Sequence, residues 1–327
     1  MTDTCTIGID LGGTDIKAAL VDRDLNIIKQ TTTPTAADQG SDAVINNILA
    51  VVDQLKAAPP EPRDSSRAAA RSEVVAIGVG TPGPLSPGRG IVFQSVHLPG
   101  WHNLPLRDMI AQRTRLPVAI DNDANVAAYG EYRVHPSVSN LVLLTLGTGV
   151  GAGTILDGRI FHGHHENASE WGHMIVHPGG RPCKCGQQGC LEMYASAANV
   201  ARHTTEQIHA GTESSLADRL SAGKSIDAAD VVSAARSGDA LALKTWDEAC
   251  RALAVACVNI QHALNPQRIL LGGGMSRAAN FLLDPVRRHY DAMHWHLHHD
   301  HPEIALATLT NNAGVIGAAA LAWDACE

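Results

Sequence analysis

From Thr6 to Thr33, apolar and polar positions alternate between glycine-rich breaks. That pattern predicts three short strands joined by turns, with the break at Gly12–Thr14 between the first two. The spacing then changes. Val44, Ile45, Ile48, Val51, Val52 and Leu55 recur at helical intervals, which predicts a helix over Asp42–Lys56. Residues 57–73 are rich in proline, alanine and charge and are expected to form an exposed loop. A buried strand is expected over Val74–Leu85, ending in a glycine–proline loop, and a turn at Leu98–Trp101. Leu104–Arg115 reads as a helix, Leu116–Asp123 as a strand that ends on carboxylates, and Asp123–Tyr132 as the start of another helix. A second strand pair begins at Asn140. Ile7–Leu20 and Val142–Leu156 both read strand, glycine turn, strand, a weak internal repeat. Gln267–Met275 predicts a further strand ending in glycines, and Asn312–Trp323 a small-residue helix able to pack tightly on a neighbour. A chain duplicated in this way builds two similar halves facing a cleft.

Composition narrows the classes. The 327 residues suit two domains. Apolar residues make up 45% and aromatics 4%, so the core is expected to be aliphatic. The net charge of −8 disfavours a nucleic-acid binder, which needs a basic face. The first residues lack a signal-peptide pattern, and no apolar run is long enough for a membrane span, so a cytoplasmic protein is expected. In that compartment thiols stay reduced, which disfavours disulfides. Cys5, Cys250, Cys257 and Cys326 are scattered and read as structural.

Three stretches carry candidate chemistry. The first is a set of glycine turns after apolar strands: Asp10–Thr14, Leu146–Gly151 and Leu271–Met275. Such turns let backbone N–H groups approach a phosphate, although each alone is equally an ordinary hairpin turn. None fits the Walker A or dinucleotide-binding pattern. Asp10 could hold Mg²⁺ through water. The second is Asp121–Asn125, at the carboxyl end of a strand, where a carboxylate serves either to cap the next helix or as a base. The third is His173 with Cys183, Cys185 and Cys190. These are four zinc-type ligands in a short segment, with Gly186 and Gly189 to let the chain fold back. They point to one structural Zn²⁺ whose role is to fix the loop carrying Glu170 and Glu192.

In this order, Asp10–Thr14, Gly80–Pro84, Leu98–Trp101, Asp121–Asn125, Leu146–Gly153, Glu170–His173 and Cys183–Glu192 resemble the ROK sugar kinases along nearly the whole chain. The resemblance implies an α/β, actin-like (ribonuclease H-like) ATPase fold with two lobes around a cleft. The lobes are expected over residues 1–120, completed by a helix at 311–327, and over 121–310 with the zinc loop. It implies an ATP-dependent hexose kinase, glucose being the expected sugar. N-acetylmannosamine, another N-acetylhexosamine or fructose is the alternative, and a non-catalytic sugar-responsive regulator is the different class. By resemblance Asp123 is the general base. Gly83, Asn122, Glu170, His173 and Glu192 bind sugar, His173 using its two ring nitrogens for zinc and sugar. Gly12, Gly13, Thr14, Thr148 and Gly149 hold phosphate, and Gly273 lies near the adenosine. A homodimer or homotetramer is implied, with neither nucleic acid nor membrane as partner. Ser169, Trp171 and His97 depart from the family's pattern near the sugar. His294–His301 matches no family motif and reads as a solvated face.

Overall fold

The computed structural model describes residues 4–57, 73–95, 98–295 and 300–326. The loop expected at 57–73 lies almost entirely outside the described residues, as do His97 and the middle of His294–His301. Contacts divide the chain into two compact units: 1–137 with 158–168 and 311–327, and 138–157 with 169–310.

The first unit is built on a five-stranded sheet of order β3-β2-β1-β4-β8. Its strands are β1 (Thr4–Leu11), β2 (Asp15–Val21), β3 (Ile27–Pro34), β4 (Glu73–Thr81) and β8 (Val118–Asn122). β1, β2 and β3 pair antiparallel, whereas β4 runs parallel to β1 and β8 parallel to β4. Cys5, Thr6, Ile7, Ile9 and Leu11 have no exposed surface, so both faces of β1 are covered. Helix α1 (Ser41–Lys56) buries the six apolar residues whose spacing predicts it. Three short strands, β5 (Leu85–Ser86), β6 (Ile91–Gln94) and β7 (His102–Leu104), form a small separate sheet ahead of α2 (Leu106–Thr114). Leu98 and Trp101 are buried in this unit's core, so the Leu98–Trp101 turn is an anchor.

Helices α3 (Asp123–Arg133) and α10 (Ala313–Asp324) complete the unit. α10 lies on β1 and β4 at a distance that only glycine permits. A Cβ on Gly8 would fall 1.9 Å from the Val315 carbonyl oxygen, and one on Gly78 1.8 Å from that of Ala318. The small residues of α10 therefore exist to bring backbone against backbone. The division expected at residue 120 separates α3 from this unit. The structure keeps it there, because Gly317 of α10 sits against the Val126 carbonyl.

The second unit repeats the theme. Its sheet runs β10-β9-β12-β13, with β9 (Leu141–Leu146) and β10 (Val150–Leu156) antiparallel and β12 (Arg268–Gly272) parallel to both β9 and β13 (Glu303–Leu306). The two-residue β11 (Arg159–Ile160) belongs to the segment grouped with the first unit. Its helices are α4 (Glu192–Ala195), α5 (Ala197–His209), α6 (Ala217–Ser221), α7 (Ala228–Arg236), α8 (Ala240–Leu264) and α9 (Asn280–Asp291), of which α9 packs on β13. Each unit has its own aliphatic core. Among the described residues no helix is long and apolar enough to cross a membrane. Cys5, Cys250 and Cys257 are buried thiols as expected of structural cysteines, whereas Cys326 is exposed near the end of the chain.

Candidate functional site

In the first unit β8 gives way to α3 within one residue. Asn122 is the helix N-cap: its Oδ1 accepts from the Ala124 and Asn125 N–H groups at 2.9 and 3.3 Å. The capping role thus falls on the amide. The Asp123 carboxylate, half-buried, accepts a 2.8 Å bond from Ala124 N–H. Asp10 is the penultimate residue of β1, and its pKa is raised by burial and by the negative charge of Asp123, against the pull of Lys17. Two carboxylates that repel one another beside an exposed glycine turn suit a divalent cation. The turn itself, Gly12–Asp15, closes through Gly12 N–H to the Asp15 carbonyl at 3.0 Å. Gly13 and Thr14 are exposed. The Thr35 hydroxyl donates to the Gly12 carbonyl at 2.7 Å and fixes the turn to the end of β3. Nearby Gly83 takes φ +111°, and a Cβ there would strike the Gln94 carbonyl at 2.2 Å. Thr81 Oγ1 and Asn125 Oδ1 are buried without partners. Buried polar atoms without a partner are uncommon and call for an explanation, a bound ligand or water among them.

In the second unit the glycine turn Gly147–Gly149 links β9 to β10 and closes through Gly147 N–H to the Gly149 carbonyl at 3.0 Å. Glu192, the first residue of α4, leans on it. Its Oε2 accepts a 3.0 Å bond from Val150 N–H, and a Cβ on Gly149 would come within 2.4 Å of the same oxygen. Gly273 packs on the Leu146 backbone at the mouth of the turn, with φ +79°. The structure therefore groups Thr148, Gly149, Gly273 and Glu192 around one hairpin. Beside Thr148 lies a cavity of about 490 Å³ walled mainly by α5 and the start of α7, with Ala197, Ala201, Leu220 and Ile226 as its apolar surface. Nothing in the local sequence marks it, because its walls come from helices joined only by folding.

The cysteine cluster comes together in the same unit. Single ligand atoms of His173, Cys183, Cys185 and Cys190 all lie within 4.8 Å of one another. His173 Nδ1 is 3.6 Å from Cys183 Sγ, and Cys185 Sγ is 3.6 Å from Cys190 Sγ. That spacing fits tetrahedral zinc with bonds of about 2.3 Å to sulfur. Burial pushes the Cys190 thiol up to about 12, whereas backbone N–H donation from Gln187 lowers Cys185. A bound cation would override both and hold the ligands as thiolates. Gly186 and Gly189 take φ +94° and +86°, the conformations that fold the loop back. Further ties come from the Ile175–Cys190 bridge and from Arg181, which reaches Glu248 at 2.7 Å and stacks 4.4 Å over Tyr194. Because His173 turns Nδ1 to the thiols, its Nε2 is left for another partner. Glu170, exposed, precedes the short turn Trp171–His173. Ser169 before it sits at φ +71° with its hydroxyl buried and unpartnered. Trp171 is fixed through its indole N–H to Thr154 at 2.9 Å.

Comparison with known proteins follows these features along the whole chain. A family model, the ROK family, matches residues 6–325. The chain is 39% identical to a glucokinase of Halalkalibacterium halodurans over 97% of its own length and 94% of the relative's. It is 35% identical to a glucokinase of Thermotoga maritima over 96% of each chain. The crystal structure of a ROK family glucokinase from Streptomyces griseus in complex with glucose and AMPPNP superimposes with a TM-score of 0.79 and 30% identity, covering 98% of this chain and 99% of that one. Turns, strand order and cysteine loop thus meet in one known architecture, the actin-like ATPase fold, and the chain belongs to the ROK family.

Proposed function

We propose that this protein is an ATP-dependent hexose kinase that transfers the γ-phosphate of ATP to a hydroxyl of glucose. Asp123 carries the reading. It is a half-buried carboxylate at a helix start, beside a second carboxylate and an exposed glycine turn. Phosphoryl transfer asks little covalent chemistry of a protein; positioning and charge neutralisation dominate. Asp123 accepts the proton of the sugar hydroxyl as its oxygen attacks the γ-phosphorus, the bond to the ADP oxygen breaks, and ADP leaves. Asn122 has its Oδ1 committed to the helix, so its amide nitrogen is the group offered to the sugar. Glu170, His173 Nε2 and the Glu192 oxygen not bonded to Val150 accept from other sugar hydroxyls, and Gly83 gives the sugar room. N–H groups of Gly12, Gly13, Thr14, Thr148 and Gly149 hold the phosphates. The cavity beside Thr148 takes the nucleoside, with Gly273 near it. Asp10 would hold Mg²⁺, which when bound neutralises phosphate charge. His173, Cys183, Cys185 and Cys190 would hold a structural Zn²⁺, which when bound fixes the loop.

The decisive experiment is a coupled ADP-release assay of the purified protein over a panel of hexoses. Glucose is expected to give the highest kcat/KM, ahead of fructose, mannose and the N-acetylhexosamines. No sugar-dependent ADP release with any of them would make the chain a sugar-responsive regulator instead. The same reading places the enzyme in the cytoplasm as a homodimer or homotetramer, and light scattering at assay concentration tests the assembly.

A further inference from the structure

Asp121 stands directly behind the Asn122–Asp123 turn and is 2% exposed. Its carboxylate is fully engaged. Oδ1 accepts from Asn122 N–H at 2.7 Å and from Asn125 Nδ2 at 3.0 Å, and Oδ2 meets His162 Nε2 at 2.6 Å. His162 comes from the segment after β11. Both residues border a cavity of about 530 Å³ in the first unit, where the His162 side chain is 31% exposed and that of Asp121 only 3%. The charged and titratable groups around it are Asp121 from β8, Glu166 from its own segment, and on the cavity wall Arg107, Arg159, Tyr129 and Asp324. Asp324 is itself taken up by Arg133 at 2.9 Å and by the Tyr129 hydroxyl.

We propose that His162 is a positioning residue for phosphoryl transfer: as a cation it neutralises Asp121 and thereby holds the Asn122–Asp123 turn in its working geometry. The inference rests on the assignment of Asp123 as the base. A sealed carboxylate without a counter-charge is costly, and a bond of 2.6 Å between imidazolium and carboxylate is of the strong, charge-assisted kind. Asp10 already feels the charge of Asp123. Without His162 the buried Asp121 charge would lose its counter-charge, and the carboxylate would be free to leave the position from which it holds Asn122 N–H and the Asn125 amide. The hydrogen bond to Asp121 raises the pKa of His162 above its ordinary 6.5; burial opposes this, and the charges of Asp121 and Glu166 add to it. A raised folded-state value means that the pair's stabilisation is complete below about pH 6.5 and is lost as the pH rises through the raised value.

The test uses full-length wild type, His162→Ala, His162→Gln and Asp123→Asn. Glucose kinetics and thermal unfolding are measured from about pH 5.5 to 9, spanning the ordinary histidine range. His162→Ala is expected to lower kcat about ten- to a hundredfold, the scale of a small misplacement of a reacting group, with little change in KM for glucose. His162→Gln keeps a donor to Asp121 but cannot titrate. Because it keeps the hydrogen bond without the charge, it is expected to recover only a minor part of kcat, and its deficit in Tm against wild type is expected to be large at low pH and to vanish at high pH. Wild-type kcat in His162→Ala at every pH, or a Tm deficit of His162→Gln that does not change with pH, would overturn the inference. Loss of turnover in Asp123→Asn alone removes His162 and leaves the base standing. Retained turnover in Asp123→Asn removes the base and the positioning role together, whatever the unfolding curves show.

Discussion

The two glycine hairpins begin alike and end in different surroundings. Each follows a buried strand, closes on itself through one 3.0 Å backbone bond, and returns antiparallel. In the first unit the turn Gly12–Asp15 is held from behind by Thr35, whose hydroxyl donates to the Gly12 carbonyl and whose N–H donates to the Thr14 carbonyl, and its tip is exposed. In the second, Glu192 grips Val150 N–H, and Ala197 N–H at the start of α5 donates to the Gly147 carbonyl at 2.8 Å. Both tips are exposed, at Gly13–Thr14 and at Thr148, but similar local sequence logic yields one turn tied to Thr35 and one wired to a candidate sugar ligand and, through α4, to the zinc loop. The chemistry divides in the same way. In the proposed reading the base, its companion carboxylate, Asn122 and Gly83 belong to the first unit, whereas Glu170, His173, Glu192 and the zinc ligands belong to the second.

That division is open to being broken by substitution. The largest effect is expected at Asp123. Replacement by Asn keeps the shape and the bond from Ala124 but removes the proton acceptor, so kcat should fall about 10²–10⁴-fold with KM for glucose nearly unchanged. Next is Cys185→Ser. Zinc content should drop from about one per chain, since a hydroxyl replaces a thiolate poorly. KM for glucose should then rise although residue 185 touches no sugar. A smaller and more discriminating contrast pairs Gly13→Ala with Gly149→Ala. The first should raise KM for ATP alone. The second drives a methyl into Glu192 Oε2 and should raise KM for ATP and glucose together. Equal effects of the two on glucose would erase the difference between the hairpins. The smallest effect is expected at Ser169→Gly, which relieves a left-handed backbone at a cost of about 1 kcal/mol. Tm should rise by roughly 1–2 °C in a calorimetric scan.

Much of this was legible in residue order. The apolar spacing of α1, the hairpin repeat and the small residues of α10 each follow from a period or from a composition that backbone geometry demands. The cysteine cluster was legible because its ligands fall within one loop. The role of Asn122 as the cap was only half legible: Asp121, Asn122 and Asp123 are all good caps, and only the backbone path decides which side chain faces the open N–H groups. The short strands β5–β7 leave no trace in residue order, since pairings of two to four residues have no periodicity. His162 was invisible because its partner Asp121 lies 41 residues away. The cavity beside Thr148 is not legible in residue order, because its walls come from separate helices between residues 197 and 228.

The division of labour is tested most directly by measuring glucose binding and turnover separately in Asp123→Asn and Cys185→Ser, by isothermal titration and by ADP release at saturating glucose. Asp123→Asn is expected to bind glucose as the wild type does and to turn over at no more than about a hundredth of its rate. Cys185→Ser is expected to bind glucose more weakly and, once saturated, to keep most of its turnover. Lost glucose binding in Asp123→Asn, or unchanged binding in a zinc-free Cys185→Ser, would contradict it.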